Sequence, residues 1–221
     1  MFEIIPGILE KEWSEIEKKI EAVRPFAKTI HIDIIDGKFA NNTTFLDPAP
    51  FKRYTHSAGS AGSLQASSGQ ALFFEVHLMV ENPIEYLKPW ADAGFIRFLG
   101  QIEKMPDQVE FVAEAQLLGE VGLAVDLKTP LSDIKVPFED LDSILLMDIA
   151  AGFSGQQFNP SVVDKIKEIA DKTFIPIGVD GGINDTTLPQ IKNAGAFSCV
   201  VTSFMFNGSP LEQYQKLQNL S

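Results

Sequence analysis

Short apolar segments alternate with longer amphipathic segments along almost the whole chain. Eight of the apolar segments are only a few residues long and are rich in β-branched and aromatic residues, so they predict β-strands. The predicted strands span residues 3–8, 29–35, 72–80, 95–99, 121–127, 143–149, 175–180 and 198–204. This regular succession indicates a sheet whose strands are separated by other elements.

Six of the intervening segments have the apolar spacing of amphipathic helices, and a short further helix is predicted around residues 51–54. The six lie within residues 11–23, 82–94, 106–119, 160–172, 185–195 and 210–220. Repeated strand–helix alternation favours a closed (β/α)₈ barrel, a TIM barrel, formed as a single domain by residues 1–221. A doubly wound open sheet is the alternative. It usually has a glycine-rich turn after the first strand, where Gly7 stands alone.

Residues 57–70, SAGSAGSLQASSGQ, interrupt this pattern between the second helix and the third strand. Their composition is that of a flexible linker. The repeated SAG units favour an engineered insertion, and a natural variable loop is the alternative. A helix-to-strand loop lies at the end of a barrel opposite the usual active site, so we expect no catalytic role for this loop.

Composition and charge narrow the function classes. The 221 residues are 45% hydrophobic and 22% charged, which is ordinary for a globular protein, and the net charge is −12. An acidic chain disfavours nucleic acid and anionic membrane surfaces as partners. The single cysteine, Cys199, predicts no disulfide, and neither a signal peptide nor a membrane span is apparent. We therefore expect a cytoplasmic protein.

Polar side chains share one face of the predicted second strand. Side chains alternate along a strand, so His31 and Asp33 point the same way. They face the barrel axis if Ile32 and Ile34 pack outward. A polar pair on an inward face costs free energy unless it is paired or binds a metal.

Two further residues extend this pair. His77 lies on the adjacent third strand, and Asp180 ends the seventh. One interpretation is a buried His–Asp hydrogen bond. The other is a metal site with two histidines and two carboxylates, whose ligands suit divalent zinc, iron, manganese or cobalt without selecting one. The third histidine, His56, lies beside the linker-like segment and is expected to be solvated.

Turns rich in glycine or small residues follow three of the predicted strands. Gly181 and Gly182 follow the seventh strand, residues 151–158 follow the sixth, and Thr202 and Ser203 belong to the end of the eighth. Glycine lets backbone N–H groups approach an anion closely, and barrels commonly bind phosphate after strands seven and eight. Each turn alone is weak support, because tight turns need glycine whatever their function. Their coincidence at one end of the barrel indicates a phosphate site.

Residues 126–133, DLKTPLSD, resemble the catalytic charge array of the orotidine-monophosphate decarboxylase group. That group places its array on an earlier strand, whereas this segment follows the fifth. We interpret it as a strand end followed by a helix cap. A decarboxylase-like barrel is the alternative.

Taken together, these motifs resemble the ribulose-phosphate 3-epimerase family over nearly the whole chain except residues 55–71. The matching segments are IIPGIL, HIDIIDGKFANNTTF, VHLMVENP, LLMDIAAGFSGQQFNP, VDGGIN and AGAFSCVVTSFMF, in the family's order. The combination of HxDxxDG with VHLM and VDGGI is far more specific than any single glycine turn.

The resemblance implies an isomerase that converts D-ribulose 5-phosphate to D-xylulose 5-phosphate by epimerisation at C3 through an enediolate. It implies a divalent metal held by His31, Asp33, His77 and Asp180, with Asp33 and Asp180 also serving as the acid–base pair. No organic cofactor is needed. The substrate and phosphate contacts that it implies are Met79, Met147, Gly152, Phe153, Ser154, Gly155, Gly181, Gly182, Thr202 and Ser203.

Several positions depart from the family pattern. The departures are Gly7 for a serine, Ile35 for a methionine, Leu99 for a histidine, Ala150 and Ala151 for Asn-Pro with an unusual Asp148 before them, and Thr202 for a glycine. The four metal and acid–base residues are intact, whereas the substrate contacts are altered. A 3-epimerase of another ketose phosphate, such as a ketohexose 6-phosphate, is therefore an alternative. A sugar-phosphate-binding or engineered barrel without turnover is another, and association into a homo-oligomer is left open.

Overall fold

Eight parallel strands close into one barrel in the part of the chain that the structure describes. The structure is a computed structural model, and it describes residues 2–55, 72–149, 152, 155 and 157–221. The strands are hydrogen-bonded in sequence order, and β8 pairs with β1 to close the barrel. They are β1 Glu3–Ile8, β2 Thr29–Ile35, β3 Phe73–Met79, β4 Arg97–Gln101, β5 Glu120–Asp126, β6 Ser143–Met147, β7 Ile177–Asp180 and β8 Ser198–Val201. The predicted (β/α)₈ barrel is confirmed.

Within these described ranges, six α-helices connect successive strands and a seventh follows β8. They are α1 Trp13–Val23, α2 Lys52–Thr55, α3 Ile84–Asp92, α4 Gln108–Gln116, α5 Val162–Ala170, α6 Leu188–Ala194 and α7 Pro210–Gln218. Among the described residues, no helix has both the length and the apolar character that a bilayer crossing requires.

The connection between β5 and β6 contains two 3₁₀ turns, Leu131–Asp133 and Phe138–Asp140, in place of an α-helix. Pro130 and Pro137 come directly before these turns. Proline lacks the N–H that a helix interior needs, so this short connection does not build a continuous α-helix. The segment 126–133 thus begins at the last residue of β5, as expected, but it leads into a 3₁₀ turn rather than an α-helix.

Six of the eight strands differ from their predicted spans at one or both ends, by one to three residues. β4 begins at Arg97 rather than at residue 95, because Phe95 packs against Trp90 at the end of α3, with ring centroids 4.7 Å apart. β7 begins at Ile177 rather than at residue 175. β8 ends at Val201 rather than at residue 204, because the chain then turns and the Phe206 N–H donates to the Thr202 carbonyl oxygen.

The predicted glycine/serine-rich insertion, residues 57–70, lies outside the described residues, and so does His56. The flanking elements have the predicted order, because α2 ends at Thr55 and β3 begins at Phe73.

Apolar side chains pack on both the outer and the inner side of the barrel wall. Outward side chains such as Ile30, Ile32 and Ile34 of β2 are buried between the strands and the helices. A smaller cluster fills part of the barrel interior and consists of Leu99, Ala124, Leu145, Met147 and Val200. The interior next to β2 and β3 is different, because the inward residues there are polar.

An aromatic cluster anchors α3 to the barrel wall. The Phe95 ring is 4.7 Å from Trp90, 5.2 Å from Phe51 and 5.5 Å from Phe74, measured between centroids. All four rings are almost completely buried. Such packing makes the cluster a major contribution to stability.

We predict that Phe95→Ala lowers the free energy of unfolding by about 3–5 kcal/mol, because it removes a buried ring and leaves a cavity. Phe174→Ala is the matched control, since the Phe174 side chain is fully exposed and its loss costs less than about 0.5 kcal/mol. Denaturant unfolding of both variants measures the difference. Equal effects would contradict the assigned packing.

Candidate metal and catalytic site

β2 places two polar side chains inside the barrel. Ile30, Ile32 and Ile34 face outward, so the alternating residues His31 and Asp33 face inward, as the alternation predicted. His31 is completely inaccessible to solvent, and Asp33 nearly so. Their partners must therefore come from the barrel itself.

β3 supplies the next group. Asp33 and His77 are paired residues in the β2–β3 register. The Oδ1 atom of Asp33 lies 2.9 Å from Nδ1 of His77 and 3.2 Å from Nε2 of His31. One carboxylate oxygen therefore contacts both imidazoles. The interpretation as a buried His–Asp hydrogen bond is realised in this geometry.

Asp180 adds a fourth group from the other side of the barrel mouth. It is the last residue of β7, three strands from β2 around the barrel through β1 and β8. One ligand atom from each of His31, Asp33, His77 and Asp180 lies within 4.8 Å of the others, and all four residues are buried. Two imidazole nitrogens and two carboxylate oxygens at this separation fit a divalent ion such as zinc, iron, manganese or cobalt.

The two carboxylates have opposite electrostatic environments. Burial favours a raised pKa for Asp33, but the adjacent His31 and His77 outweigh it and hold the pKa well below its usual range. Burial and the negative charge of Asp33 raise the pKa of Asp180 to about 7. Two buried carboxylates repel each other, and a cation between them relieves that repulsion. The donor set therefore has the electrostatics of a cation site.

Glu75, which forms an ion pair with Arg97, also contacts the imidazole of His31. Nδ1 of His31 lies 2.7 Å from Oε1 of Glu75, and Oε2 of Glu75 accepts a 2.6 Å hydrogen bond from Nη1 of Arg97. Burial favours a raised pKa for Glu75, but His31 and Arg97 lower it overall. Burial would lower the pKa of His31, but Asp33 and Glu75 raise it well above its usual value. Glu75 thereby fixes the orientation of the imidazole.

Gln101 supports the second imidazole. Its Oε1 atom lies 2.6 Å from Nε2 of His77, so Nδ1 of His77 is directed at Asp33. Gln101, Glu75 and Arg97 were not predicted as site residues from the sequence. The signal for Glu75 was present, because residues 75 and 77 have the same parity on one strand. Arg97 lies inside the predicted fourth strand, whereas Gln101 lies beyond the predicted end of that strand at residue 99.

Two of the four groups, Asp33 and Asp180, line a cleft at the carboxyl ends of the strands, and both histidines are buried in contact with Asp33. The cleft has a volume of about 420 Å³ when the space open to solvent is included. Eight of the ten predicted substrate contacts also line it, namely Met79, Met147, Gly152, Gly155, Gly181, Gly182, Thr202 and Ser203. The other two, Phe153 and Ser154, lie outside the described residues. Leu9, Ile149, Ile183 and Val200 are lining residues that the sequence analysis missed.

Two of the glycines at the cleft have a steric reason to be glycine. Gly181 and Gly182 have positive φ angles of 117° and 62°. A Cβ on Gly181 would lie 2.6 Å from Cγ1 of Ile149, and one on Gly182 would lie 2.6 Å from the Phe158 backbone. The turn requires glycine at both positions with or without an anion. These glycines are therefore compatible with phosphate binding but do not by themselves argue for it.

Residues 3–206 match the model of the ribulose-phosphate 3-epimerase family. The ribulose-phosphate 3-epimerase of Bacillus subtilis is 32% identical, with 95% of this chain and 94% of that protein covered. The enzyme of that name from Aquifex aeolicus is 31% identical, with 98% and 96% covered.

This chain belongs to the ribulose-phosphate 3-epimerase family. Epimerases are isomerases, so the predicted enzyme class is confirmed together with the family resemblance.

Solved structures with the same architecture include enzymes that are not named ribulose-phosphate 3-epimerase. The 3-keto-L-gulonate-6-phosphate decarboxylase of Vibrio cholerae has a TM-score of 0.70 at 9% identity, with 99% of this chain and 96% of that chain covered. The 3-hexulose-6-phosphate synthase of Salmonella typhimurium has a TM-score of 0.68 at 13% identity, with 99% and 97% covered. At these identities the likeness shows the fold alone. It gives no support to a decarboxylase reaction in this epimerase-family chain.

Two of the departures from the family pattern have structural consequences here. Leu99, at the position of the family's histidine, packs in the apolar interior with Met147 and Val200. Asp148 directs Oδ2 to the Asn159 N–H at 2.9 Å, and burial raises its pKa to about 6 despite that hydrogen bond. Its Oδ1 is buried without a partner among the described residues. Ala150 and Ala151 lie outside those residues.

We predict that Glu75→Gln weakens divalent-metal binding about tenfold, because a neutral amide supports the His31 imidazole less well than a carboxylate does. The control is Glu120→Gln. Glu120 pairs with the same Arg97 but is half exposed and does not contact His31. Metal affinity is measured by competition with a chelating dye, after thermal unfolding has shown that both variants fold. Unchanged affinity in Glu75→Gln would contradict the assigned support.

Proposed function

We propose that this chain interconverts D-ribulose 5-phosphate and D-xylulose 5-phosphate by epimerisation at C3. The observation that carries the proposal is the convergence of His31, Asp33, His77 and Asp180 at the base of the cleft. Membership in the ribulose-phosphate 3-epimerase family supports the same reaction.

Asp33 and Asp180 are the acid–base pair in this proposal. They extend from β2 and β7 and line one cleft, so a substrate between them presents one face to each carboxyl group. One carboxylate removes the C3 proton, and the electrons of the C–H bond move into a planar enediolate. The other carboxyl group donates a proton to the opposite face of C3. The net reaction inverts C3 and consumes no oxidant, reductant or organic cofactor.

The two histidines hold the remaining positions of the proposed metal site. Glu75 and Gln101 orient His31 and His77, which leaves Nε2 of His31 and Nδ1 of His77 directed at Asp33. A divalent cation held by these histidines and the two aspartates would stabilise the negative charge that develops on the substrate oxygens. Zinc, iron, manganese and cobalt all suit the donor set.

In this proposal the substrate phosphate binds at the turns that follow β6, β7 and β8. Backbone N–H groups of the turns after β6, β7 and β8 are the proposed contacts, at Gly152–Gly155, Gly181–Gly182 and Thr202–Ser203. Such local donors can bind an anion in a chain whose net charge is −12. Met79 and Met147 line the apolar wall next to the reacting groups.

A 3-epimerase of another ketose phosphate, such as a ketohexose 6-phosphate, is the second candidate. It is favoured by Leu99 in the barrel interior and by the Thr202 side chain in the cleft. Thr202 lines the cleft, whereas Leu99 lies behind it in one apolar cluster with Met147 and Val200, which do line it. Neither residue changes the metal and acid–base groups. Relative kcat/KM values for the pentulose and the hexulose phosphate decide between the two substrates.

We predict that Asp33→Asn and Asp180→Asn each reduce epimerisation by at least about a thousandfold, because each removes one of the two proton-transfer groups. Metal binding also weakens, since each variant loses a carboxylate ligand. The rate is followed with metal-supplemented protein and D-ribulose 5-phosphate by detection of D-xylulose 5-phosphate.

Asp164→Asn is the matched control, because Asp164 is exposed on α5 and its loss changes no group in the cleft. It should have the activity of the unaltered protein. Near-normal turnover in Asp33→Asn or Asp180→Asn would contradict the two-base mechanism. Absence of turnover in the unaltered, metal-loaded protein would favour a barrel that binds sugar phosphate without reaction.

A further inference from the structure

Gly7 and Thr202 lie side by side where the barrel closes. Pro6 of β1 pairs with Val201 of β8, so the next residues of the two strands, Gly7 and Thr202, are neighbours across this seam. Both have the inward parity of their strands, because Ile8 and Val201 are buried in the outer layer. Gly7 is also paired with His31 on its other side. Only strand β1 therefore lies between Thr202 and His31, a predicted metal ligand.

The two positions compete for one volume. A Cβ built on Gly7 would lie 2.5 Å from Oγ1 of Thr202 and 2.6 Å from Cγ1 of Val200. Both distances are far shorter than van der Waals contact. A side chain at residue 7 would therefore require both Thr202 and Val200 to shift.

The Thr202 side chain adds a hydroxyl group to the cleft. Thr202 lines the cleft together with Asp33 and Asp180. Its Oγ1 makes no hydrogen bond with any residue in the described part of the chain, although its carbonyl oxygen accepts one from the Phe206 N–H. A hydroxyl group that lines a cleft has a donor and an acceptor available for a ligand.

These contacts join two departures from the family pattern that looked independent in the sequence. By the resemblance noted in the sequence, Gly7 stands where a serine is expected and Thr202 stands where a glycine is expected. In this chain the hydroxyl group beside the seam comes from β8.

We propose that Gly7 and Thr202 are a coupled pair and that the Thr202 hydroxyl binds an oxygen of the sugar part of the substrate beside the reacting carbon, not its phosphate. Thr202 is then a specificity-determining residue. This inference rests on the proposed function. The steric coupling of the two residues is independent of it, because it depends only on packing.

The substrate contact is tested with Thr202→Val, which keeps the shape and removes the hydroxyl, and with Thr202→Ser, which keeps the hydroxyl. Thr202→Val should lower kcat/KM about tenfold, as expected for one lost hydrogen bond, and Thr202→Ser should stay within about twofold. Inorganic phosphate, used as a competitive inhibitor, should inhibit both variants with an unchanged inhibition constant. An unchanged kcat/KM in Thr202→Val, or a loss of phosphate inhibition parallel to the loss of kcat/KM, would overturn the assignment.

The coupling is tested with Gly7→Ser, Thr202→Gly and the double variant, by thermal unfolding. Gly7→Ser alone should lower the unfolding midpoint by about 3–10 °C, because its side chain collides with Thr202 and Val200. Adding Thr202→Gly should raise the midpoint again, although Thr202→Gly alone should lower it. Val200 is the same in Gly7→Ser and the double variant, so their difference isolates Thr202.

Additive midpoint changes in the three variants would overturn the coupling. This measurement needs no substrate. If the unaltered protein showed no epimerase activity, the proposed function would fail, while the unfolding midpoints would still decide whether the pair is coupled.

Discussion

The structure depends on the burial of two carboxylates and two imidazoles at the centre of a barrel. Burial of an unpaired charge has one of the largest free-energy costs in folding, so these groups need partners. Asp33 has the two histidines, whereas Asp180 lies near the charge of Asp33 and its pKa is raised to about 7. A divalent cation held by these four residues would supply the positive charge that this arrangement lacks. The same electrostatic requirement therefore explains the donor set and suits it to stabilising a developing negative charge.

The surrounding interior serves this requirement in two ways. On the side of β2 to β4, Glu75, Arg97 and Gln101 hold the imidazoles by hydrogen bonds. On the opposite side, small and apolar residues such as Ala124 and Leu145 fill the barrel without adding charge. The helices contribute by burying the outward side chains of the strands, which fixes the inward parity. The two carboxyl groups proposed to transfer protons therefore lie at the mouth of the barrel, near the carboxyl ends of the strands.

Much of this arrangement could be predicted from the sequence, because it follows from period-two alternation and strand order. His31, Asp33 and Asp180 belong to that part. The support of His77 by Gln101 could not be predicted, because β4 was expected to end at residue 99, whereas it extends to Gln101. The relation between Gly7 and residue 202 was also hidden, because only closure of the barrel brings the two ends of the chain together.

The most direct test of this account is conversion of D-ribulose 5-phosphate by the metal-loaded protein in heavy water, followed at C3 by NMR. Two bases on opposite faces predict that D-xylulose 5-phosphate carries solvent deuterium at C3, while the unreacted substrate keeps its proton early in the reaction. Product that retains the original C3 proton, or deuterium that appears equally fast in the remaining substrate, would contradict the assignment of Asp33 and Asp180 to opposite faces.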